Sequence, residues 1–274
     1  MKKISVVIHS LNEEKNIIDC INSAKLLTDK IILIDMESRD KTVEIAKSLN
    51  VQVFNFLKSN YVEPAREFGI KQAKTDWVMI LDADERMTKE LAEEIKSNIG
   101  QSRLNRSKSV KSVTDSTDST DSTDLTYYRI PRRNIFASIK WLRYGGWWPD
   151  YQIRLINKKY FVNWPKRIHA TPEIKGALGY LKNPLTHYFH GNLSNMVEKT
   201  VTFEKIESEL LFKANKKTST IIFFRKFSAE LYRRLIKGLG FLDGTFGVIE
   251  SIYQAFSKTI TYLFLYEKSS NKKN

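Results

Sequence analysis

The sequence predicts an α/β fold in which a parallel sheet carries helices on both faces. Four short apolar runs rich in β-branched residues alternate with segments of helical periodicity before residue 85. This alternation is typical of parallel sheets, because a crossover helix joins each strand to the next parallel strand. A hydrophobic content of 42% over 274 residues supplies a substantial core for one large domain, alone or with a smaller appendage.

The N-terminal elements follow in order. Strands are predicted at residues 4–8, 30–35, 51–56 and 77–81, and helices over 17–24, 38–49 and 65–73. Ligands of such sheets bind at the carboxyl ends of the strands. We therefore expect Asn12, Asp35 and the Asp82/Asp84 pair to lie along one edge.

The chain after Gly100 has a different character. Residues 100–124 repeat Thr-Asp-Ser and are predicted to form a flexible low-complexity loop that lacks the glycine and terminal glutamate of a calcium loop. Strands follow at 127–130, and a strand pair is expected from 153–156 and 160–162 around residues 157–159. The chain becomes helical from about residue 195, with segments at 220–237 and 246–266. We expect a catalytic domain over 1–205 and a basic amphipathic helical extension over 206–274.

The net charge and the cysteine content limit which partners and which cellular compartment we expect. The formal net charge is +14, and the last 64 residues carry twelve Lys/Arg against four Asp/Glu. Such an excess suits an anionic partner: nucleic acid, phospholipid head groups or a phosphorylated glycan. The single cysteine, Cys20, excludes an internal disulfide and fits a reducing compartment. The apolar N-terminal run is too short for a signal peptide, and no spanning helix is expected.

Asp82-Ala83-Asp84 is the sharpest local feature of the sequence. Two carboxylates one residue apart at a strand end suit a hard divalent cation such as Mg²⁺ or Mn²⁺, which also binds diphosphate oxygens. Such an ion neutralises charge on a departing nucleotide diphosphate. Asp-x-Asp is common on surfaces, and its place directly after a buried strand makes the triplet more specific.

Three blocks of the sequence resemble the N-terminal signatures of family 2 glycosyltransferases. They are Ser5–Glu14, Ile34–Thr42 and Trp77–Glu85, in the order and spacing of that family. The resemblance implies the GT-A (Rossmann-like) nucleotide-diphospho-sugar transferase fold with a C-terminal helical extension. Three further blocks are similar to the branch of lipopolysaccharide core β-1,4-glucosyltransferases: Gly145–Leu155, Arg167–His169 and Gly240–Gly244.

The resemblance assigns nucleotide-sugar-binding roles to residues at the predicted sheet edge. It implies that Asn12, Glu13 and Asp35 lie near the nucleoside, with Asp35 accepting from the uracil or ribose, although Asn and Asp also cap helices. Arg66 corresponds to a basic residue near the nucleotide, and the alternative is a solvated helix face. The nucleotide-sugar set also includes Asp82 and Ala83.

Asp150 is the candidate catalytic base, because the family places an acid after a glycine-aromatic segment downstream of Asp-x-Asp. An inverting transfer needs a carboxylate that takes the proton of the acceptor hydroxyl. The alternative is a plain turn after Pro149. Arg154 is expected to orient Asp150 or to contact phosphate. Trp147 and Trp148 either stack on a sugar ring or belong to the core.

The metal ligands implied by the resemblance are Asp84, Asp82 and His169. His187 and His190 compete with His169 for the third position, and a lone histidine is more often structural. His9 departs from the family pattern, since Thr or Tyr is common at this position. Such departures leave the donor sugar open.

The leading interpretation is an inverting, Mg²⁺- or Mn²⁺-dependent hexosyltransferase with a UDP-sugar donor, UDP-glucose being one option. The acceptor expected is a lipopolysaccharide core or another cell-surface glycan or glycolipid of a bacterium. We expect a cytoplasmic protein on the inner face of the cell membrane, with peripheral contact through the basic C-terminal region; an ordinary amphipathic helix packed on the catalytic domain is the alternative.

Three other functions compete with this interpretation. A polyprenyl-phosphate glycosyltransferase is the nearest, weakened by the lack of a transmembrane pair in the sequence. A nicotinamide-dependent oxidoreductase lacks its G-x-G-x-x-G after the first strand. A non-enzymatic basic nucleic-acid- or membrane-binding protein explains the charge but gives the acidic residues no role, and we expect no nucleic acid partner.

Overall fold

A computed structural model describes residues 3–59, 61–100, 125–166, 170–189 and 193–271, of which residues 193–195 are described by their backbone only. The chain divides into two compact units. Unit 1 comprises Met1–Arg132 and Tyr151–His187, and unit 2 comprises Arg133–Asp150 and Tyr188–Asn274. The domain boundary predicted at residue 205 falls within a helix and stays a prediction. Apart from Gly100, the flexible loop predicted over 100–124 lies outside the described residues. His169 and His190 also lie outside them.

The parallel part of the unit 1 sheet confirms the predicted α/β alternation. Strand β1 (Ile4–Ser10) pairs in parallel with both β2 (Ile31–Asp35) and β4 (Trp77–Asp82), and β2 pairs with β3 (Gln52–Asn55). The intervening helices are α1 (Ile17–Ala24), α2 (Thr42–Ser48) and α3 (Glu63–Gln72). Neighbouring residues of one strand join different core clusters: Val6 and Ile8 pack with α1, whereas Val7 packs with α3. Helices therefore cover both faces of the sheet.

Most of the remaining strands extend this sheet in mixed orientation, and two of them pair with each other apart from it. They are β5 (Glu85–Arg86), β6 (Leu125–Phe136), β7 (Lys140–Trp141), β8 (Asp150–Asn157), β9 (Phe161–Asn163), β10 (Glu173–Ile174), β11 (Ala177–Tyr180) and β12 (Leu185–Phe189), with helix α4 (Lys89–Gly100) after β5. The strand order is β3-β2-β1-β4-β8-β6-β12-β5, with β7 and β11 also on β6. Strand β8 is antiparallel to β4, and β12 is antiparallel to β5.

The predicted strand pair around residues 157–159 is wrong. Strand β8 pairs with β4, whereas β9 pairs with β10 in a separate two-stranded sheet. The connection is a 3₁₀ turn at Lys158–Tyr160, in which the Asn157 side chain accepts from the Lys159 N–H. Lys158 Nζ also donates to the carbonyls of Lys71 and Ala73. These contacts hold the connection against the end of α3, so the two strands diverge.

Unit 2 is mainly helical. Its helices are α5 (Leu193–Lys213), α6 (Thr220–Leu231) and α7 (Thr245–Asn271), and a π-helical turn (Tyr232–Lys237) and a 3₁₀ turn (Gly240–Asp243) lie between α6 and α7. The predicted segment 220–237 is thus helical throughout, but its last turn is π-helical. Phe136, Leu142, Phe189 and Met196 form the core of this unit. None of the described helices has the length and apolar composition needed to cross a lipid bilayer.

Candidate active site

The carboxyl ends of β1, β2 and β4 bring polar side chains to one sheet edge, as predicted. Ser10 is paired in register with Asp35, and His9 is paired with Asp82. Because these strands are parallel and neighbouring, the loops that follow them meet at the same edge. The edge is where the sequence places its candidate nucleotide-binding residues.

The loops after β1 and β2 are joined by reciprocal hydrogen bonds. The Asn12 N–H donates to Ser38 Oγ at 2.8 Å, and the Arg39 N–H donates to Asn12 Oδ1 at 2.8 Å. The Glu13 N–H donates to Thr42 Oγ1 at 2.8 Å. Asn12 has a φ of 57°, a left-handed conformation that Asn tolerates better than most residues. Asn12 and Glu13 therefore fix the shape of this edge, whatever they contact on a ligand.

Asp35 stabilises the same two loops through its buried side chain. Its side chain accepts from Ser10 Oγ at 3.2 Å and from the Ser38 N–H at 3.0 Å, and the residue is only 3% exposed. The carboxylate thus ties the end of β1 to the loop after β2. Its predicted contact with a uracil or ribose stays a prediction.

Asp82 is held by two arginines. Arg66 Nη2 donates to both carboxylate oxygens, at 3.0 Å and 2.8 Å. Arg154 Nη2 lies 2.5 Å from Asp82 Oδ2. Burial by itself raises the pKa of Asp82, but the charges of Arg154 and Arg66 outweigh it and hold this pKa well below its ordinary range. Asp82 is therefore an anion at neutral pH whose charge is compensated within the chain.

Glu85 anchors the network from inside and was not among the residues that the sequence suggested. Its side chain is fully buried, and its Oε1 lies 2.6 Å from Arg154 Nη2 and 3.3 Å from Arg132 Nη1. Its Oε2 accepts from the Asp82 N–H at 3.0 Å. The only local signal was its position directly after Asp82-Ala83-Asp84. Glu85 fixes both the backbone of that motif and the guanidinium that binds Asp82.

Arg66 and Arg154 also border a cavity of about 270 Å³ in unit 1, together with Trp164 and Glu63. The Arg66 guanidinium lies over the Trp164 ring, 5.3 Å from its centroid. Each guanidinium offers more donors than its carboxylate partners use, because arginine has five N–H groups. The cavity therefore presents cationic donors suited to phosphate oxygens.

Asp84 occupies a different environment from Asp82. Its Oδ2 lies 3.6 Å from His187 Nε2, and the two side chains are 22% and 14% exposed. His187 reaches this place because β12 pairs with β5, where it lies opposite Glu85. A carboxylate oxygen and an imidazole nitrogen suit a divalent cation, and 3.6 Å is less than twice a metal–ligand distance of about 2.1 Å. The described residues contain no group of three or more His, Cys, Asp and Glu arranged for a metal ion.

His9 is a buried neutral imidazole beside Asp82 in the sheet. Its Nε2 donates to the Ala65 carbonyl at 3.2 Å, and its Nδ1 has no hydrogen-bond partner among the described residues. Burial lowers the pKa of His9 from 6.5 to about 3. The histidine that replaces the usual Thr or Tyr therefore carries no charge at neutral pH.

Unit 2 holds Asp150, the candidate base. The Asn134 side chain donates to Asp150 Oδ2 at 3.2 Å and to the Trp147 carbonyl at 3.1 Å. The Trp148–Pro149 peptide bond that precedes Asp150 is cis. Asn134 is fully buried, so it links the carboxylate to a fixed point of the fold. Asp150 is thus held in place by a specific partner that the sequence did not reveal.

Comparison with known proteins identifies the family. Residues 5–162, more than half of the chain, match the family model of Glycosyl transferase family 2. The chain belongs to that family. Its described strands and helices accordingly form a GT-A type α/β fold with a C-terminal helical region.

Relatives of this glycosyltransferase extend along its whole length. An uncharacterized glycosyltransferase of Rickettsia typhi is 28% identical over 289 residues, which cover 100% of this chain and 90% of the relative. A second, from Rickettsia prowazekii, is 28% identical with the same coverage. Both matches include the C-terminal helices as well as the catalytic region.

Two solved structures illustrate what this glycosyltransferase is similar to. The structure of Staphylococcus aureus TarS residues 1–349 is 15% identical, covers 99% of this chain and 92% of that chain, and has a TM-score of 0.41. Glucosyl-3-phosphoglycerate synthase of Mycobacterium tuberculosis, solved with Mn²⁺ and UDP-glucose, is 13% identical, covers 80% and 81%, and has a TM-score of 0.46.

The geometry of the glycosyltransferase distinguishes among the predicted site residues. Unit 1 brings together Asp82, Arg66 and Arg154 in one network, with Asp84 and Ala83 in the loop that follows. Among the three histidines considered as metal ligand, His187 lies beside Asp84, whereas His169 and His190 lie outside the described residues. Trp147 packs on Phe189 at 4.8 Å between ring centroids and belongs to the core of unit 2.

Proposed function

We propose that this chain is an inverting, Mg²⁺- or Mn²⁺-dependent hexosyltransferase that uses a UDP-sugar, with UDP-glucose the first donor to test. The observation that carries the proposal is the difference between the environments of the two acids in Asp82-Ala83-Asp84. Asp82 is compensated by Arg66 and Arg154, whereas Asp84 lies partly exposed beside His187. One acid of the motif thus orders the site, and the other is placed for a cation.

Asp84 and His187 would hold the metal, with Asp82 at its side. When bound, the metal supplies positive charge to the diphosphate of the donor. Arg66 and Arg154 add guanidinium donors on the cavity they border. Nucleoside recognition falls to the edge built by Asn12, Glu13 and Asp35.

Asp150 takes the proton in the proposed reaction. The acceptor hydroxyl loses its proton to the Asp150 carboxylate as its oxygen forms a bond to the anomeric carbon of the sugar. The bond between that carbon and the diphosphate oxygen breaks, and UDP leaves with the electron pair. The hydrogen bond from Asn134 keeps one carboxylate oxygen oriented for this step.

The proposed acceptor is a lipopolysaccharide core or a similar cell-surface glycan, reached from the cytoplasmic side of a bacterial membrane. The choice of this acceptor rests on the resemblance of three sequence blocks to the lipopolysaccharide core glucosyltransferases. The choice also rests on the positive charge of the C-terminal helices, which suits peripheral contact with anionic lipid. A polyprenyl-phosphate acceptor is the rival within the same family.

Thermal unfolding with a panel of nucleotides and nucleotide sugars tests the donor and the metal together. Ligands that bind the folded state raise the midpoint. We expect Mn²⁺ with UDP or a UDP-sugar to raise it, and Asp84→Asn to abolish that increase while Asp29→Asn, an exposed control, keeps it. A midpoint that no nucleotide changes would contradict the proposal, as would an increase that is independent of metal.

Product analysis separates the acceptors. The wild-type protein is incubated with UDP-glucose and either a truncated lipopolysaccharide core or a polyprenyl phosphate, and UDP release is followed. Transfer to the core acceptor alone supports the proposal, with inversion at the anomeric carbon read by NMR. Transfer to the polyprenyl phosphate alone would establish the rival.

A further inference from the structure

The turn between α6 and α7 of unit 2 presents large apolar side chains to solvent. Leu239, Phe241 and Leu242 are 43%, 47% and 52% exposed within four residues. Tyr232 and Ile236 of the preceding π-helical turn are 60% and 50% exposed. Large exposed apolar side chains that lie this close together in the chain are typical of an interaction site. The catalytic proposal uses none of these residues.

Close backbone packing fixes this turn. The Gly145 N–H donates to the Gly238 carbonyl at 2.7 Å. A Cβ at Gly240 would lie 2.8 Å from the Arg234 carbonyl oxygen, and one at Gly247 would lie 2.0 Å from the Gly240 carbonyl oxygen. Only glycine allows these approaches. The exposed leucine and phenylalanine side chains therefore project from a tightly anchored turn.

Leu239 itself has a strained backbone. Its φ of 56° lies in the left-handed region, which a leucine without a compensating contact avoids. Strain of this kind persists where the surrounding structure enforces it, and it clusters at functional positions. Here it orients an exposed leucine next to Phe241 and Leu242.

Two cations line a depression beside the apolar turn. A depression of about 410 Å³ in unit 2 is lined by Lys140, Trp141, Arg143, Tyr144, Leu242 and Asp243. Lys140 and Arg143 are exposed. The Asp243 carboxylate is buried and accepts from the backbone N–H groups of Arg143 and Tyr144 at 2.8 Å each. Since this acid is engaged in fixing the loop, the exposed charge of the depression is positive.

We propose that the turn Gly238–Gly244 inserts Leu239, Phe241 and Leu242 into the interfacial region of an anionic lipid bilayer, while Lys140 and Arg143 bind lipid phosphates. A bilayer offers apolar chains and phosphate groups side by side, which matches this surface. Nucleic acid would leave the apolar side chains exposed. A second copy of the chain would bring like charges together. The inference deepens the membrane contact of the proposed function and rests on it.

Vesicle sedimentation with the full-length protein tests the proposal. Wild-type protein is mixed with vesicles of pure phosphatidylcholine or with vesicles containing one-third phosphatidylglycerol. We expect binding to the anionic vesicles only. Phe241→Ser/Leu242→Ser should weaken it at least about tenfold. Lys140→Gln/Arg143→Gln should weaken it about 30-fold, since each cation near an anionic surface contributes roughly a factor of five.

Matched variants in unit 1 serve as controls. Ile18→Ser/Leu57→Ser replaces two apolar residues that are 45% and 77% exposed. Lys25→Gln/Lys30→Gln removes two exposed cations. Both should bind vesicles like wild type. Equal losses in the control and test variants would show that the turn has no special role and would overturn the proposal.

Two further readouts keep the outcomes distinct. Light scattering without lipid should give the same mass for wild type and Phe241→Ser/Leu242→Ser. A wild-type dimer that this variant dissociates, without vesicle binding, would assign the surface to a second copy instead. UDP binding in lipid-free solution reports on the catalytic proposal separately. Vesicle binding that fails while UDP binds refutes the membrane turn alone, and the reverse result refutes the transferase site alone.

Discussion

Two sites of this glycosyltransferase, the charged network of unit 1 and the turn Gly238–Gly244 of unit 2, differ in how they treat polar and apolar groups. In unit 1, Glu85 and the side chain of Arg154 are 0% and 2% exposed. In unit 2, Phe241 and Leu242 remain about half exposed, at 47% and 52%. Burying ions costs desolvation energy, and exposing apolar surface forgoes hydrophobic stabilisation. Neither arrangement serves stability best, and for each place we propose a ligand that accounts for it.

The difference also separates two kinds of specificity. The buried ions of unit 1 are fixed by several hydrogen bonds each, which suits a small polar ligand that needs donors in set positions. The exposed side chains of unit 2 offer apolar area and diffuse charge, which suit a fluid surface. Four variants test this contrast, from the largest expected effect on stability to the smallest.

Glu85→Ala should have the largest effect, a loss of about 3–5 kcal/mol in the free energy of unfolding, because it leaves buried Arg154 with one partner fewer. Urea denaturation measures this loss. Glu93→Ala on the exposed side of α4 is the control and should change the value by less than about 0.5 kcal/mol. A loss below about 1 kcal/mol in Glu85→Ala would show that the network does not organise unit 1.

His9→Thr should remove a pH dependence of stability. The pKa of His9 is about 3 in the folded chain against 6.5 unfolded, so between these values only the unfolded state takes up the proton. Stability is therefore lost as the pH falls below 6.5. From linkage, wild type should lose about 2 kcal/mol more than His9→Thr between about pH 7.5 and about pH 5. Parallel stability profiles would contradict a buried neutral histidine.

Asn134→Leu tests the support of Asp150 in unit 2. It removes the donors to Asp150 and to the Trp147 carbonyl, which should cost about 1–2 kcal/mol of stability. If Asp150 is the base, misplacing its carboxylate should lower kcat about 100-fold while KM for the UDP-sugar stays near wild type. Steady-state kinetics and urea denaturation measure the two effects. An unchanged kcat would remove the positioning role of Asn134.

Phe241→Ser/Leu242→Ser should leave stability within about 0.5 kcal/mol of wild type, because half-exposed side chains contribute little to the core. Thermal and urea unfolding of the lipid-free protein measure this. A loss above about 2 kcal/mol would show that these side chains belong to the packing of unit 2. The contrast with Glu85→Ala would then disappear.

The sequence was sufficient to predict the parallel half of the sheet. Strands β1, β2 and β4 are continuous apolar runs that end in polar residues, which is a local signal. Their common edge follows from parallel pairing, so the proximity of Asp35 and Asp82 to that edge was predictable. The positions of these motif residues could be predicted without knowing which distant residues they contact.

The partners of those residues were not predictable, because they are distant in the chain. Glu85 meets Arg132 and Arg154, which lie 47 and 69 residues away. Strands β8 and β9 separate because Lys158 binds carbonyls at the end of α3, a tertiary contact. The residues of the π-helical turn, Tyr232–Lys237, have a sequence that suits an ordinary α-helix. Non-local pairing decides the cases of Glu85 and Lys158, and a periodic pattern carries no record of it.

Manganese affinity in the presence of UDP tests the central claim most directly. Electron paramagnetic resonance reports the free Mn²⁺ during titration of wild type, Asp84→Asn, His187→Gln and the control Asp29→Asn. If Asp84 and His187 hold the metal, each of their variants should bind Mn²⁺ at least about tenfold more weakly, and the control should match wild type. Unchanged affinity in both Asp84→Asn and His187→Gln would contradict the account.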